Sequence, residues 1–511
     1  MSVAAEQNSR PPSALRRSAT PARGANATIA VGALFAAVLA WTFALRSPFL
    51  SVEGSDDAFF VAVANLWAHG VLPYAGAFDV KPPGFFAILA VAQALLGASL
   101  RSLAVVTIVF DAVTATALFH LGARMGSRGI GVFAALLYPL LSLVVTNNAP
   151  YAPLAAFTTL AFLAAMSRLP ILGRAALAGL LIGVAATIKQ TAAFEALALL
   201  VILLWTPDAA LRRPSAAAAF ILGAAAPALA FLAYFAAQGA AGPMIEDVVV
   251  GALRRPASSV EGVTLLEGFL RSLTLLMRPI EPLAILACFA LLRRPAIEAE
   301  FSRASLKPIG AWTAAALVSV WAQRALFEAY MGPMLAPLLL LAGAAVAFAP
   351  AWLRRVAAPA RLAVAGLVVV AAALFSRTPG LDMREEPGAV ARAAEAIKGS
   401  DPAPDDRLLV VSRGAWLYPA TGLAPPTAYF HWEHTLSDFP GAGPARLAEA
   451  LATTPRYLVV ADRGRHAKTE LAESWRLIDA ALARSYRLLA HVQGIGDSYD
   501  VYAATPTQAA R

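Results

Sequence analysis

Chemistry-bearing residues gather in one segment of this chain, EGSDDAFFVAVANLWAHGVLPYAGAFDVKPP at 53–83, which holds Glu53, Asp56, Asp57, Asp79 and Lys81 amid apolar runs. A positioned carboxylate can take a proton from a reacting group. A compact ammonium can offset charge on an anionic one. Ser55 followed by two acids also reads as a helix start, in which either Asp is a plain N-terminal cap. Adjacent residues diverge by about 100° on a helix, so only one of Asp56 and Asp57 can face a common site. Ionisable groups concentrated at a membrane boundary tend to be functional.

That boundary follows from composition. Of 511 residues, 59% are hydrophobic and 14% charged, with a mean hydropathy of +0.65, against roughly 45–50% apolar and 25% charged in soluble domains. The chain is a membrane protein by this measure. Its net charge of +9 falls mainly in short gaps between apolar runs, a topology signal and not a nucleic-acid-binding face. Cys288 is the one cysteine, so neither an intrachain disulfide nor a Cys-based metal site is expected.

Apolar runs near 27–45, 103–122, 129–146, 153–167, 175–188, 192–206, 215–238, 279–292, 308–322, 331–349 and 362–375 predict about eleven transmembrane helices. Several fall short of the ~20 residues a perpendicular span needs. Arginine-bearing gaps (Arg124/Arg128, Arg168/Arg174, Arg212/Arg213, Arg293/Arg294, Arg354/Arg355) alternate with the others and place the N-terminus in the cytoplasm. The apolar stretch 84–99 must then be a juxtamembrane or re-entrant helix, because a further span would invert every later gap.

Three regions result. Residues 1–24 read as a disordered cytoplasmic tail, 25–375 as the transmembrane region with its first outer loop at 46–102, and 376–511 as an extracytoplasmic domain. In the last, strand-like runs at 407–412, 456–460 and 486–490 alternate with helical patterns at 387–398, 443–452 and 467–482, which predicts a small α/β fold. No internal repeat stands out.

The acidic pair with an aromatic three positions on, then Pro73-Tyr74 and Lys81-Pro82-Pro83, resembles the first extracytoplasmic loop of GT-C glycosyltransferases. The similarity is greatest to the protein O-mannosyltransferase, lipid A aminoarabinose transferase and bacterial galacturonosyltransferase-like group. The resemblance implies an all-α polytopic GT-C fold in the cell (inner) membrane. It implies a hexosyl- or pentosyltransferase that moves a sugar from a polyprenyl-phosphate donor to a lipid, glycan or protein acceptor, with inversion. The catalytic base of that pattern maps onto Asp56, beside Asp57, and the carrier-phosphate contact onto Lys81. Lys-Pro-Pro alone is a weak signal; its spacing from the acidic pair makes it specific.

Further segments extend the resemblance over about 50–345. GLLIGVAATIKQT at 179–191 looks like the family's glycine-rich span and Lys-Gln-Thr turn, with Lys189 toward phosphate and Gln190 toward sugar; the plain alternative is a lysine snorkelling to water. QRALFEAY at 323–330 matches a phosphate-clamping Arg at Arg324 and an aromatic at Tyr330, with Glu328 where relatives carry His. Arg254 and Arg255 break the charge rule on the outer side, suited to carrier phosphate, an anionic acceptor or anionic lipids.

TNNAPYAP at 146–153 departs from the pattern. Relatives often place a second acid there to help hold a divalent ion, whereas Asn147, Asn148 and Tyr151 are neutral. They suit sugar hydroxyls, and amide oxygens are poor anchors for a transition metal, so a divalent metal is left open but disfavoured, no metal ligand is assigned, and no cofactor follows with certainty. In the tail, His431, Glu433 and His434 lie among aromatics and read chiefly as domain core facing the cleft. A second class, a transporter or flippase of lipid-linked sugars, would show inverted repeats and ionisable groups near mid-membrane; here such groups cluster at helix ends.

Overall fold

The structure is a computed structural model. It describes residues 21–47, 53–146, 149–205, 213–254, 270, 280–300, 305–323, 328–348, 355–375, 384–385, 387–411, 414–431, 443–461, 471–494 and 498–505. Asn147, Asn148, Arg255, Arg324, Glu433 and His434 lie outside these, as do the side chains of Arg254 and Glu328.

Continuous apolar sequence folds as helix, because only internal hydrogen bonding satisfies the backbone away from water. In chain order come α1 (Pro21–Arg46), α2 (Ser55–Ala68), α3 (Gly84–Leu96), α4 (Leu100–Arg124), α5 (Arg128–Leu141), α6 (Tyr151–Ala165), α7 (Ile171–Ile188), α8 (Ala192–Leu204) and α9 (Arg213–Ala237). Glu281–Leu292, Lys307–Ala322, Gly332–Phe348 and Ala358–Phe375 follow. Among the described residues six helices are long and apolar enough to cross a membrane: Ile29–Arg46, Leu100–Arg124, Arg128–Val145, Ile171–Ile188, Arg213–Ala237 and Ala329–Phe348. Five further apolar helices are shorter, α3 among them.

Burial ranks their positions. The Ala329–Phe348 segment is 89% buried and forms the middle of the bundle, whereas α9 is 11% buried and exposes Ile221, Leu222 and Leu229. α7 and α9 pack with backbones close together: a Cβ on Gly183 would collide with the Ala224 carbonyl. Small residues permit that approach where lipid gives no hydrophobic drive.

Not every ionisable group sits at a helix end. Asp111, halfway along α4, is fully buried. It meets Arg46 of α1 (Nη2–Oδ2 2.7 Å) and accepts a hydrogen bond from Ser142 Oγ at 3.0 Å. The expected confinement of charge to the outer ends therefore fails here, and the reason is pairing, which lowers the cost of a buried charge.

The C-terminal segment builds a four-stranded sheet in the order β3 (Leu408–Val411), β4 (Tyr457–Ala461), β6 (Ser498–Ala504), β5 (Tyr486–Gln493). β3 and β4 are parallel; β6 is antiparallel to both its neighbours. β6 was not anticipated, although its buried Tyr499, Val501 and Ala503 alternate with less buried residues as a half-covered strand should. One sheet face (Leu409, Val411, Leu458, Val460) packs on Leu447, Trp475 and Ile478 of helices Gly443–Ala452 and Ala472–Ser485. The other face joins the core of the helical bundle through Tyr418 and Phe430. A short antiparallel pairing of β1 (Glu53–Gly54) with β2 (Arg384–Glu385) ties the start of α2 to the chain leaving the last apolar helix.

Candidate functional site

The site forms where α2 begins. Its helix starts at Ser55 with Asp56 and Asp57 in the first turn, where the helix dipole favours carboxylates. Ala58 to Ala64 behind them are buried, which fixes the helix and aims its first turn outward. The two acids diverge as helical geometry requires. Asp56, its side chain 42% exposed, has Oδ1 3.6 Å from His431 Nε2. Asp57 Oδ1 accepts the Ala149 N–H at 3.4 Å. α5, which contains Pro139, ends in a π-helical turn at Ser142–Thr146, a few residues before Ala149.

Lys81 reaches the same end of α2. Its ammonium lies 4.5 Å from the Phe60 ring centroid, and Phe60 stands one turn below Asp56. It also pairs with Asp79 Oδ2 at 3.4 Å, while Asp79 Oδ1 accepts the Lys81 backbone N–H at 3.0 Å. Tyr74 braces this loop. It is buried at a φ of +69°, packs on Phe235 and donates its hydroxyl to the Lys81 carbonyl at 2.9 Å. Asp79 and burial hold the Tyr74 hydroxyl well above its usual pKa, burial acting most. The hydroxyl is thus engaged with the loop backbone.

A second cation sits beside the first group. Lys189 caps α7 at its C-terminus; its ammonium donates to the Tyr151 hydroxyl and lies 4.4 Å and 4.2 Å from the Tyr151 and Tyr330 ring centroids. Tyr151 in turn donates to Gln323 Oε1 at 3.3 Å. Gln190 stitches the two groups together by donating to the carbonyls of Val80 (2.7 Å) and Val248 (2.9 Å). Contact between Gly84 and Thr187 fixes the same junction, since a Cβ at 84 would strike the Thr187 backbone.

Asp247, on a second π-helical turn at Glu246–Gly251, escaped sequence reasoning. Burial first, then the charges of Asp79 and Glu246, push its carboxyl up to about 7. The tail also enters. The Phe78 N–H donates to the Ala428 carbonyl at 2.9 Å, Phe78 stacks near Tyr429 (4.8 Å) and Phe59 near Phe430 (5.1 Å). The sequence marked this aromatic run only as core facing a cleft. Nothing local could have named Asp56 as its neighbour. Among the described residues no three His, Cys, Asp or Glu side chains converge to hold a metal ion.

The model of the dolichyl-phosphate-mannose-protein mannosyltransferase family matches residues 80–234, under a third of the chain. ArnT from Cupriavidus metallidurans bound to undecaprenyl phosphate superposes with a TM-score of 0.60 at 15% identity, covering 94% of this chain and all of that one. Its apo state gives 0.55 at 16% identity, with the same coverage. The arabinofuranosyltransferase AftD from Mycobacteria gives 0.53 at 14% identity, covering 94% of this chain and 42% of that one. No curated protein sequence matches. The fold is that of GT-C glycosyltransferases, and the resemblance read from the first loop holds at that level.

Proposed function

We propose that this protein transfers a sugar from a polyprenyl-phosphate carrier to a lipid, glycan or protein acceptor at the extracytoplasmic face of the cell membrane. The observation that carries this reading is that Asp56 stands in the first turn of α2 and the Lys81 ammonium lies 4.5 Å from the ring of Phe60, one turn further along the same helix. Asp56 takes the proton of the acceptor hydroxyl or amine as that atom bonds to the anomeric carbon. The bond from that carbon to the phosphate oxygen breaks, and its electron pair leaves on the phosphate. Lys81 and Lys189 offset the charge that develops there, with Asp79 and Tyr151 orienting the two ammonium groups. The carrier lipid reaches the site from the bilayer, which is why a sugar enzyme would be built from apolar helices. In this reading the N-terminus is cytoplasmic and residues 376–511 are an outer domain over the first loop.

The reading is tested with the purified protein in lipid nanodiscs, metabolically labelled polyprenyl-phosphate sugars extracted from membranes, and envelope fractions as acceptor. Asp56→Asn should keep its fold and lose transfer by about 10²- to 10⁴-fold, the range for a general base. Transfer at the wild-type rate by this variant would overturn the proposal, and a flippase would move lipid equally well with either residue.

A further inference from the structure

The chain returns to the site from its far end. Residues 428–431 lie along the first loop, held by the Phe78–Ala428 backbone hydrogen bond and by the Phe78–Tyr429 ring contact. Phe430 is buried between Phe59 (5.1 Å) and Tyr418 (4.9 Å). His431 follows directly, only 6% exposed, with its ring 4.5 Å from Phe59. Its Nε2 stands 3.6 Å from Asp56 Oδ1.

The two partners are unequal. The imidazole is wedged among buried aromatics, while the carboxylate it faces is 42% exposed and carried on a short side chain at a helix start. A buried donor this close to an exposed carboxylate can orient it. We infer that His431 is a positioning residue for the general base: its Nε2–H donates to Asp56 Oδ1, which leaves Oδ2 turned toward the acceptor. A shift of a few tenths of an ångström closes the present separation to a hydrogen bond, and such contacts commonly tighten only in the substrate complex. The acceptor's proton goes to Oδ2. The tail therefore completes the site and does not merely cover it. This inference rests on the reading of Asp56 as base.

His431→Phe keeps a ring against Phe59 and removes the donor; His431→Gln restores an N–H. In the nanodisc transfer assay, His431→Phe should keep its melting temperature and its KM for the labelled donor and lose up to about a hundredfold in kcat, the scale of a small misplacement of a reacting group. His431→Gln should recover most of that loss. Wild-type kcat in His431→Phe, or His431→Gln no better than His431→Phe, overturns the inference. So does failure of both His431→Phe and His431→Met to fold, because the ring would then serve packing. Asp56→Asn is assayed alongside: an inactive Asp56→Asn with a fully active His431→Phe removes this inference alone, whereas an active Asp56→Asn removes the base reading itself.

Discussion

Arg46 and Asp111 form an ion pair inside the helical bundle, with Nη2 2.7 Å from Oδ2 and the Arg46 Nε–H also donating to Oδ2 at 2.9 Å. Ser142 completes the triangle, accepting from Arg46 Nη2 at 3.1 Å and donating to Asp111 Oδ1 at 3.0 Å. Three helical segments are thereby tied at one depth. Removing one partner leaves the other charge buried alone, which typically costs about 3–5 kcal/mol. Asp111→Leu should therefore lower the melting temperature in detergent sharply, and Arg46→Met with Asp111→Leu should regain most of it. Equal melting of the single and double variants would show that the pair is not coupled.

Lys189 rests between two tyrosine rings, and each such contact contributes about 0.5–2 kcal/mol to holding a cation in place. Lys189→Met should raise the KM for the polyprenyl-phosphate donor by about tenfold, equivalent to about 1.4 kcal/mol. Tyr151→Phe keeps the ring face and should have the smaller effect. An unchanged KM in Lys189→Met would assign this lysine to the membrane interface.

Asp57 accepts a backbone N–H, and an asparagine side chain retains an accepting oxygen. Asp57→Asn should therefore cost less than about tenfold in kcat, against at least about a hundredfold for Asp56→Asn. Comparison of the two rates at saturating donor decides the roles. Reversal of that order would move the base to Asp57.

Asp247 binds its proton more tightly folded than unfolded, with its carboxyl pushed up to about 7 from 3.8. Folded chains thus hold more protons between those values, so stability falls as pH rises through that window and levels off above it. Asp247→Asn removes this slope. Its melting temperature should exceed the wild type's by more at pH 8 than at pH 4.5. A constant difference would place Asp247 in water in both states.

Much of this arrangement is legible along the chain. The segment 53–83, with its helix start at Ser55 and its Lys81-Pro82-Pro83 exit, announces its local structure through residue type and spacing. The apolar runs become helices because a backbone in lipid has no other way to satisfy its polar groups. Tail strands and helices appear near their expected positions for the same local reason, namely hydrophobic period. β6 shows the limit: its alternation is present, with Asp500 on the less buried side, but the strand is decided by its pairing with β4 and β5.

Sequence alone determined the membrane class, the order of helices and the segment that holds the acids and Lys81, because hydropathy, charge and turn chemistry act over a few residues. Tertiary structure decided the pairings. It set His431 against Asp56, Gln190 against Val80 and Val248, Asp247 near Asp79, and Arg46 against Asp111. Each joins residues far apart in the chain, and their meeting depends on how whole helices and a returning tail pack, which no local pattern encodes.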